Sequence, residues 1–204
     1  MLFVEGGYVM TKSIVITKEM IDVAAFELVR KEGVEALSAR NIAKELNCST
    51  QPIYNTYEGM DEIRRITVDR VIDFVMKRIV TYKKTGRPFL DSGLGYINFA
   101  KTERVLFREF QLNVSGANEK KNDLGDPQIR ALMDGDEYVQ EYNLTKSGKD
   151  NVFKKIMIFT YGVAVLSYLD RLYMSEEEVV TLLKDISEDY LKQEALGKKE
   201  EVME

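Results

Sequence analysis

The chain has 204 residues, 45% of them apolar, which is enough to bury a sizeable core as one large domain or two smaller ones. It contains no histidine and a single cysteine, which excludes an internal disulfide and removes the commonest metal ligand and general base. The net charge of −5 is uneven: residues 1–84 carry 13 basic and 12 acidic side chains, whereas residues 85–204 carry 16 and 22, so a nucleic-acid surface is expected in the first part.

The composition predicts an all-α fold, because good helix formers recur in long blocks and only three prolines interrupt them. Residues 1–12 are expected to be a leader outside the fold, and the sequence leaves open whether residues 1–9 belong to the native protein. The opening segment lacks the basic start of a secretion signal, and the longest apolar block, residues 156–169, is too short to span a membrane. We therefore expect a cytoplasmic protein with no membrane partner.

The first helices are marked by their capping residues. Thr17 can cap a helix that is closed by Gly33, and Ser38 can cap a second, two-turn helix. Asn47 suits a left-handed turn position, and Ser49 is expected to open a short third helix. The segment 37–57 is therefore predicted to be a helix-turn-helix.

A long connecting helix is predicted from Met60 to about Lys84, with an apolar stripe formed by Val68, Val71, Ile72, Val75 and Ile79. The basic junction at 83–88 contains glycine and proline and coincides with the change in charge. We place the domain boundary there. The expected organisation is a DNA-binding domain at 13–60, a connecting helix at 61–84 and a second helical domain at 88–196.

The second domain is predicted to be helical throughout. Pro88 begins a helix to about Thr102, residues 103–112 form another, and 115–126 form a loop. Asp126 is expected to cap a helix from Pro127 to about Tyr142. Two long helices close the chain at about 149–173 and 176–195, and the second begins with a capping box of Ser175 and Glu178.

The third helix presents two different sides. At about 100° per residue, Thr50, Gln51, Tyr54 and Asn55 share one arc, and Ile53 lies on the other. Glutamine and asparagine can each form a bidentate pair with adenine in the major groove. A solvated face is the ordinary interpretation of such an arc, but a two-turn helix is stable only when its neighbours pack against it, which favours a recognition helix.

Residues 21–63 resemble the DNA-binding domain of the tetracycline-repressor (TetR) family of transcriptional regulators. The resemblance rests on "AA..L....G" in the first helix, "S.R.IA.EL" in the second and "S...IY..Y" in the third. It implies that Ser38, Arg40 and the outer arc of the third helix face DNA, with Tyr54 on the backbone. The candidate DNA-contacting residues are Ser38, Arg40, Lys44, Ser49, Thr50, Gln51, Tyr54 and Asn55.

Three residues depart from the family pattern. Met60 stands where the family commonly has a lysine against a phosphate, so affinity is expected to rest more on Arg40 and Lys44, together with lysines 12 and 18. Tyr57 replaces a frequent phenylalanine. Pro52 lies in the first turn of the helix, where an N–H group has no partner in any case.

Residues 88–196 contain no catalytic or metal-binding motif, and no enzyme activity, cofactor or metal is expected. The helix at 149–173 is apolar nearly all round, which predicts that a second chain covers it. The resemblance implies a homodimer formed by the last two helices, a near-palindromic DNA operator and an effector pocket of unknown ligand. The candidate pocket residues are Tyr96, Phe99, Phe107, Phe110, Phe153 and Met157.

The expected function is a transcriptional regulator, most simply a repressor that a small-molecule effector releases from DNA. The alternatives are an all-α protein-interaction module, or a small-ligand-binding protein that does not bind DNA. An all-α enzyme is disfavoured by the absence of histidine and of paired carboxylates on a shared helical face. Effector, operator sequence, target genes and the sign of regulation are not encoded in any recognisable pattern.

Overall fold

The structure, a computed structural model, describes residues 15–112 and 127–201. Within these ranges all regular structure is helical and no strand occurs, which confirms the predicted fold class. The α-helices in chain order are α1 (Lys18–Glu32), α2 (Ala39–Glu45), α3 (Gln51–Thr56), α4 (Met60–Val80), α5 (Pro88–Thr102), α6 (Arg104–Phe107), α7 (Pro127–Asp134), α8 (Glu137–Gln140), α9 (Lys146–Tyr168) and α10 (Glu176–Glu201). The predicted leader at 1–12 and the loop at 115–126 lie outside the described residues.

Helices α1 to α3 form a small three-helix head. The Thr17 hydroxyl oxygen accepts a hydrogen bond from the Met20 N–H at 3.3 Å, and the Ser38 hydroxyl oxygen accepts one from the Asn41 N–H at 3.2 Å. Both predicted caps are therefore confirmed. Gly33 has φ 95° and Asn47 has φ 49°, so the chain turns at the two positions predicted for positive φ. The head is held together by Ile21, Ile42 and Ile53, each 0% exposed.

The start of α3 differs from the prediction by one residue. Thr50, not Ser49, directly precedes the helix, and its side chain makes no capping hydrogen bond. The turn after α2 extends one residue further than expected, because the Cys48 N–H donates to the Ala43 carbonyl at 2.9 Å. Pro52 lies in the first turn of α3 as predicted.

Helix α4 ends at Val80, about four residues before the predicted end. The buried Asp91 side chain at the start of α5 explains this end. Its carboxylate accepts hydrogen bonds from the Thr85 N–H at 2.8 Å, the Thr85 hydroxyl at 2.7 Å and the Gly86 N–H at 3.2 Å. These bonds fix the connection in a turn, so the helix cannot continue to Lys84.

Helix α5 has the predicted bounds and packs against α4 and α9. Gly95 permits the close approach to α4, since a Cβ there would lie 2.8 Å from the Ile79 carbonyl oxygen. The helix predicted over 103–112 is instead the short α6 followed by a π-helical turn at Arg108–Leu112. The helix predicted from Pro127 to Tyr142 is two helices, because Gly135 and Asp136 interrupt it and the Asp136 carboxylate caps α8.

Helices α9 and α10 pack against each other at the end of the chain. Helix α9 begins three residues before the predicted start, where Thr145 caps it, and ends at Tyr168 rather than at 173. The capping box of α10 is confirmed: the Ser175 N–H donates to the Glu178 carboxylate at 2.7 Å, and the Glu178 N–H donates to the Ser175 hydroxyl at 3.2 Å. Among the described helices, none is long and apolar enough to cross a lipid bilayer.

Candidate nucleic-acid interface and effector region

The α2–turn–α3 unit presents a polar outer surface on a buried base. Ala39, Ile42 and Ala43 of α2 are buried, whereas Arg40 and Lys44 are exposed one helical turn apart. The two cations therefore share one side of α2 and point away from the core. This placement agrees with the predicted phosphate contacts, because phosphates need accessible positive charge.

Helix α3 separates its two sides as the periodicity predicts. Ile53 is 0% exposed, whereas Gln51 and Asn55 are exposed and Tyr54 is 56% exposed. The Gln51 side-chain N–H donates to the Asn55 side-chain oxygen at 2.8 Å. The two amides therefore orient each other on the surface of the helix, a pairing that their i,i+4 spacing allows.

The remaining predicted DNA contacts lie at the two ends of this surface. Ser38 is half-buried, and its hydroxyl oxygen is already occupied as the cap of α2. Ser49 is exposed and Thr50 is half-buried at the start of α3. Both hydroxyls therefore flank the Gln51–Asn55 pair, and Ser38 lies at the start of the neighbouring helix.

Tyr57 anchors the end of α3 to α1. It is 4% exposed, its hydroxyl donates to the Asp22 carboxylate, and the Lys18 ammonium lies 4.0 Å from the centre of its ring. Burial raises the pKa of the Tyr57 hydroxyl, and the hydrogen bond to Asp22 raises it further. The departure from the frequent phenylalanine thus adds a polar link between the end of α3 and α1.

The start of α4 offers no cation in place of the family's lysine. Met60 is half-buried and packs against the hydrophobic core. Glu58 and Glu62 follow α3, and the Glu58 N–H donates to the Glu62 carboxylate at 3.0 Å. Acidic side chains therefore lie directly after α3, and the nearest exposed cations of α4 are Arg64 and Arg65 in its second turn.

Three of the predicted effector residues meet in one aromatic cluster. Tyr96, Phe99 and Phe107 have ring centres 5.7 to 6.4 Å apart, and Tyr161 and Tyr168 of α9 complete the cluster. Phe99 and Phe107 are each 0% exposed. Burial raises the pKa of the Tyr96 hydroxyl, which donates to the Gln111 side chain at 2.9 Å.

The other predicted effector residues lie elsewhere. Phe153 stacks on Phe89 with ring centres 5.8 Å apart, and the Arg130 guanidinium lies 4.1 Å from the centre of its ring. Met157 is half-buried against the core, and the side chain of Phe110 lies outside the described residues. The structure therefore brings Tyr96, Phe99 and Phe107 together and gives Phe153 a different set of ring neighbours.

A surface groove of about 360 Å³ lies on the outer side of the head. Met20 and Val23 of α1 and Leu46 after α2 line it, and Glu27 and Lys31 lie along it. The aromatic cluster contributes no residue to this groove. It is therefore a feature of the head and separate from the predicted effector residues.

The outward side of α9 is apolar and uncovered. Ile158 is 61% exposed, Leu166 42% and Leu169 46%, and Tyr173, beyond the end of the helix, is 92% exposed. Gly162 lies among them, and apart from its chain neighbours and the backbone of its own helix no atom lies within 4 Å of the position that a Cβ would take. A stripe of this kind along the second half of a helix is typical of a face that another chain covers.

A cluster of charges, missed by the sequence analysis, joins the head to the rest of the protein. Glu103, 8% exposed, lies between α5 and α6 and accepts hydrogen bonds from the Arg30 Nε at 2.9 Å and Nη2 at 2.8 Å. Arg78 of α4 lies 3.7 Å from the same carboxylate. Pairing with Glu103 raises the pKa of Arg30. Within the described parts of the chain, no group of three or more acidic, cysteine or histidine side chains could hold a metal ion.

The structure is similar to that of the transcriptional regulator SCO7222, a TetR from Streptomyces coelicolor. The similarity has a TM-score of 0.58 and covers 87% of this chain and 98% of that chain, at 15% sequence identity. No family model and no curated protein sequence matches the chain. The structural similarity shows that this chain has the fold of a TetR regulator over most of its length, as the resemblance of residues 21–63 predicts.

Proposed function

We propose that this protein is a sequence-specific DNA-binding transcriptional regulator of the TetR family. The observation that carries the proposal is the exposed polar arc of α3, which stands on a buried apolar base and lies beside the exposed cations of α2. A short helix with these properties fits the DNA major groove, where polar side chains contact base edges and cations contact phosphates. The similarity of the whole fold to a TetR regulator supports the same proposal.

Each candidate residue has a proposed role on the DNA. Gln51 and Asn55 contact base edges, and Arg40 and Lys44 contact phosphates. Tyr54, Ser38, Ser49 and Thr50 donate hydrogen bonds to the sugar-phosphate backbone around them. The Gln51–Asn55 hydrogen bond leaves the Gln51 oxygen and its second N–H available, which are the two groups that pair with the edge of adenine.

The proposed active form is a homodimer assembled through the uncovered side of α9. Ile158, Leu166 and Leu169 lie along that side, and burying them in an interface removes their apolar surface from water. Gly162 allows a second helix to approach closely. A twofold dimer carries two recognition helices, which match the two halves of a near-palindromic operator.

We further propose the domain division and the regulation. Residues 13–60 bind DNA, 61–84 connect, and 88–196 form the dimer and bind a small apolar or amphipathic effector of unknown identity. The aromatic cluster around Tyr96, Phe99 and Phe107 is the proposed effector region, with Phe110, Phe153 and Met157 as further candidates. The effector favours a state of the dimer that binds DNA less well, so that a repressor is released. The proposed location is the cytoplasm, and no catalysis is part of this function.

Selection of bound sequences from random DNA duplexes tests the proposal. We expect a two-half-site consensus with an A·T pair at one fixed position of each half. Gln51→Ala should relax the preference at that position, whereas Lys44→Ala should weaken binding to all sequences alike. Absence of any enriched sequence, together with no binding at low salt, would refute DNA recognition.

Salt dependence separates DNA binding from the alternative of a protein-interaction module. A protein that neutralises several phosphates loses affinity steeply as salt rises, with a slope of about −0.9 per phosphate on a double-logarithmic plot. We expect Arg40→Ala and Lys44→Ala each to reduce the slope by about one phosphate. A partner captured through α3 in a salt-insensitive manner would support the alternative instead.

Sedimentation of charge variants tests the dimer. Leu166→Glu places a charge in the proposed interface and should give a monomer, because an unpaired charge is strongly disfavoured in an apolar contact. Val23→Glu, the same kind of change at a position of α1 that is 41% exposed, is the matched control and should remain dimeric. A dimeric Leu166→Glu protein would exclude this face.

A further inference from the structure

Glu103 occupies the point where three helices from both parts of the protein meet. Its buried carboxylate holds the Arg30 guanidinium of α1 through two hydrogen bonds and lies 3.7 Å from Arg78 of α4. The centre of the Phe74 ring of α4 lies 5.0 Å from the guanidinium of Arg30 and 5.5 Å from that of Arg78. The Glu103 carboxylate is buried and the two arginines are partly exposed, and their pairing ties α1 to the joint between α5 and α6.

The backbone of Glu103 connects this charge cluster to the aromatic cluster. Its N–H donates to the Phe99 carbonyl at 2.9 Å, and its carbonyl accepts from the Phe107 N–H at 2.8 Å. The Phe99 and Phe107 rings pack edge to face with centres 5.7 Å apart. Glu103 itself has φ −118° and ψ 56°, so it forms a bend between the two helices. A change in the separation of the Phe99 and Phe107 backbones would therefore alter the bend that carries the carboxylate.

A second contact joins the same two regions. In the π-helical turn after α6, Gln111 accepts hydrogen bonds from the Tyr96 hydroxyl at 2.9 Å and, on its carbonyl, from the Tyr161 hydroxyl at 3.2 Å. Glu109 of that turn lies against Gly33, the residue that ends α1, with 3.0 Å between its Oε1 and the position of an added Cβ. π-Helical turns are frequent at functional sites.

We propose that Glu103 is a positioning residue that couples the aromatic cluster to the DNA-binding head by holding or releasing Arg30. The proposal rests on the proposed function, since it assigns the route by which an occupied effector region would change DNA binding. A bidentate pair between an arginine and a carboxylate has a narrow geometry, so a shift of the bend breaks it instead of stretching it. Breaking it leaves the buried Glu103 carboxylate with Arg78 alone at 3.7 Å, which disfavours the original position of α1.

The movement of α1 would reach the recognition helix directly. Tyr57, at the end of α3, is hydrogen-bonded to Asp22 of α1. Arg30 lies near one end of α1 and Asp22 near the other. A movement of α1 at Arg30 therefore also moves Asp22, because both residues lie on one rigid helix. Arg30 thus has two states, paired with Glu103 and released from it. The effector region and the head can each shift the equilibrium between these two states.

A double-mutant cycle distinguishes this coupling from a merely stabilising ion pair. Phe107→Leu disturbs the aromatic cluster, Glu103→Gln removes the charge without changing the shape of the side chain, and the double variant combines them. Hydrogen exchange of the α1 amides in the full chain reports on the head without DNA or effector. Tyr168→Leu, which removes the half-buried ring that packs on Phe107 with centres 5.4 Å apart, replaces Phe107→Leu if that variant does not fold.

Phe107→Leu is expected to accelerate exchange in α1 about fivefold or more in the otherwise native chain, and to have no further effect once Glu103→Gln is present. Asp170→Asn is the control, because it removes one carboxylate from the exposed Arg104–Asp170 pair at the start of α6. The effect of Phe107→Leu should persist in that background. Equal effects of Phe107→Leu with and without Glu103→Gln would overturn the coupling.

Affinity for a selected duplex provides the second measurement of the cycle. Phe107→Leu should change the affinity about fivefold or more in the native and Asp170→Asn backgrounds and leave it unchanged in Glu103→Gln. If no variant binds any duplex, the proposed function fails, while the exchange measurement still decides the coupling. If all variants bind and the effects are additive, the function stands and the coupling is wrong.

Discussion

Replacing Tyr57 by phenylalanine tests how α3, the proposed recognition helix, is held in place. The change keeps the ring, which is 4% exposed, and its contact with the Lys18 ammonium at 4.0 Å, so it creates no cavity. It removes one hydrogen bond to the Asp22 carboxylate. Hydrogen bonds to charged groups contribute about 1.5–3 kcal/mol. Asp22 is half-buried and water can replace part of the lost bond, so we expect a loss of about 1.5 kcal/mol in the free energy of unfolding.

Urea unfolding followed by circular dichroism measures this loss, and for a chain of this length it corresponds to a fall of about 3–6 °C in the melting temperature. The native chain and Tyr57→Phe should have the same denaturant slope, because both expose the same surface. A difference below about 0.5 kcal/mol would show that the hydroxyl does not hold α3 on α1.

The stability difference between the native chain and Tyr57→Phe should also change with pH, in a direction that the pKa of Tyr57 predicts. The pKa of Tyr57 is raised in the folded protein above its ordinary value of 10.0, first by burial and then by Asp22. The stabilisation from this hydroxyl is therefore complete below pH 10 and is lost as the pH rises further, since the unfolded chain ionises first. The stability difference between the native chain and Tyr57→Phe should shrink above pH 10. A difference that stays constant there would contradict the assignment.

Three further substitutions test the packing that positions the site, each by urea unfolding. Gly95→Ala should destabilise the protein by about 1–3 kcal/mol, because its Cβ would meet the Ile79 carbonyl oxygen at 2.8 Å. Gly197→Ala, with open space around it, should not destabilise the protein. Equal effects of the two changes would contradict the close α4–α5 contact. Asp91→Ala should cost about 3 kcal/mol, because three hydrogen bonds from Thr85 and Gly86 end on its buried carboxylate, and a loss under about 1 kcal/mol would show that water replaces them. Ser38→Ala should lower the free energy of unfolding by about 1 kcal/mol, because it removes the cap of α2. Ser49→Ala removes no capping bond and should leave the stability unchanged. A larger loss for Ser49→Ala than for Ser38→Ala would refute the assigned start of α3.

Local patterns explain which parts of this structure the sequence could predict. The caps at Thr17 and Ser38 and the positive φ of Asn47 depend on residues within three or four positions, and all three occur as predicted. The two sides of α3 follow from its 3.6-residue period alone. The outer surface of α2 and α3 is therefore predictable because every signal that builds it is local, although the role of each residue on DNA stays a prediction.

The contacts that fix this surface could not be predicted in the same way. The Tyr57–Asp22 bond joins residues 35 positions apart, and the Arg30–Glu103 bond joins residues 73 positions apart. None of these four residues stands out in the sequence by a charged or aromatic pattern, because 31% of the chain is charged. The end of α4 and the division of the predicted helix at Gly135 have a different cause. Asp91 and Asp136 accept hydrogen bonds from donors two to six positions away, and the sequence does not show that these two aspartates are the buried ones.

The aromatic residues show why the predicted effector region requires a conformational change. Helical spacing placed Tyr96, Phe99 and Phe107 on inward faces, and the structure does bring them together. Phe99 and Phe107 are 0% exposed, so neither ring has a free face for a ligand. A molecule that binds among them must separate the rings, and it must then repay the lost contacts with its own apolar surface. Binding at this position therefore requires the rings to rearrange. A ligand that binds in this way favours the rearranged state of the protein over the original one.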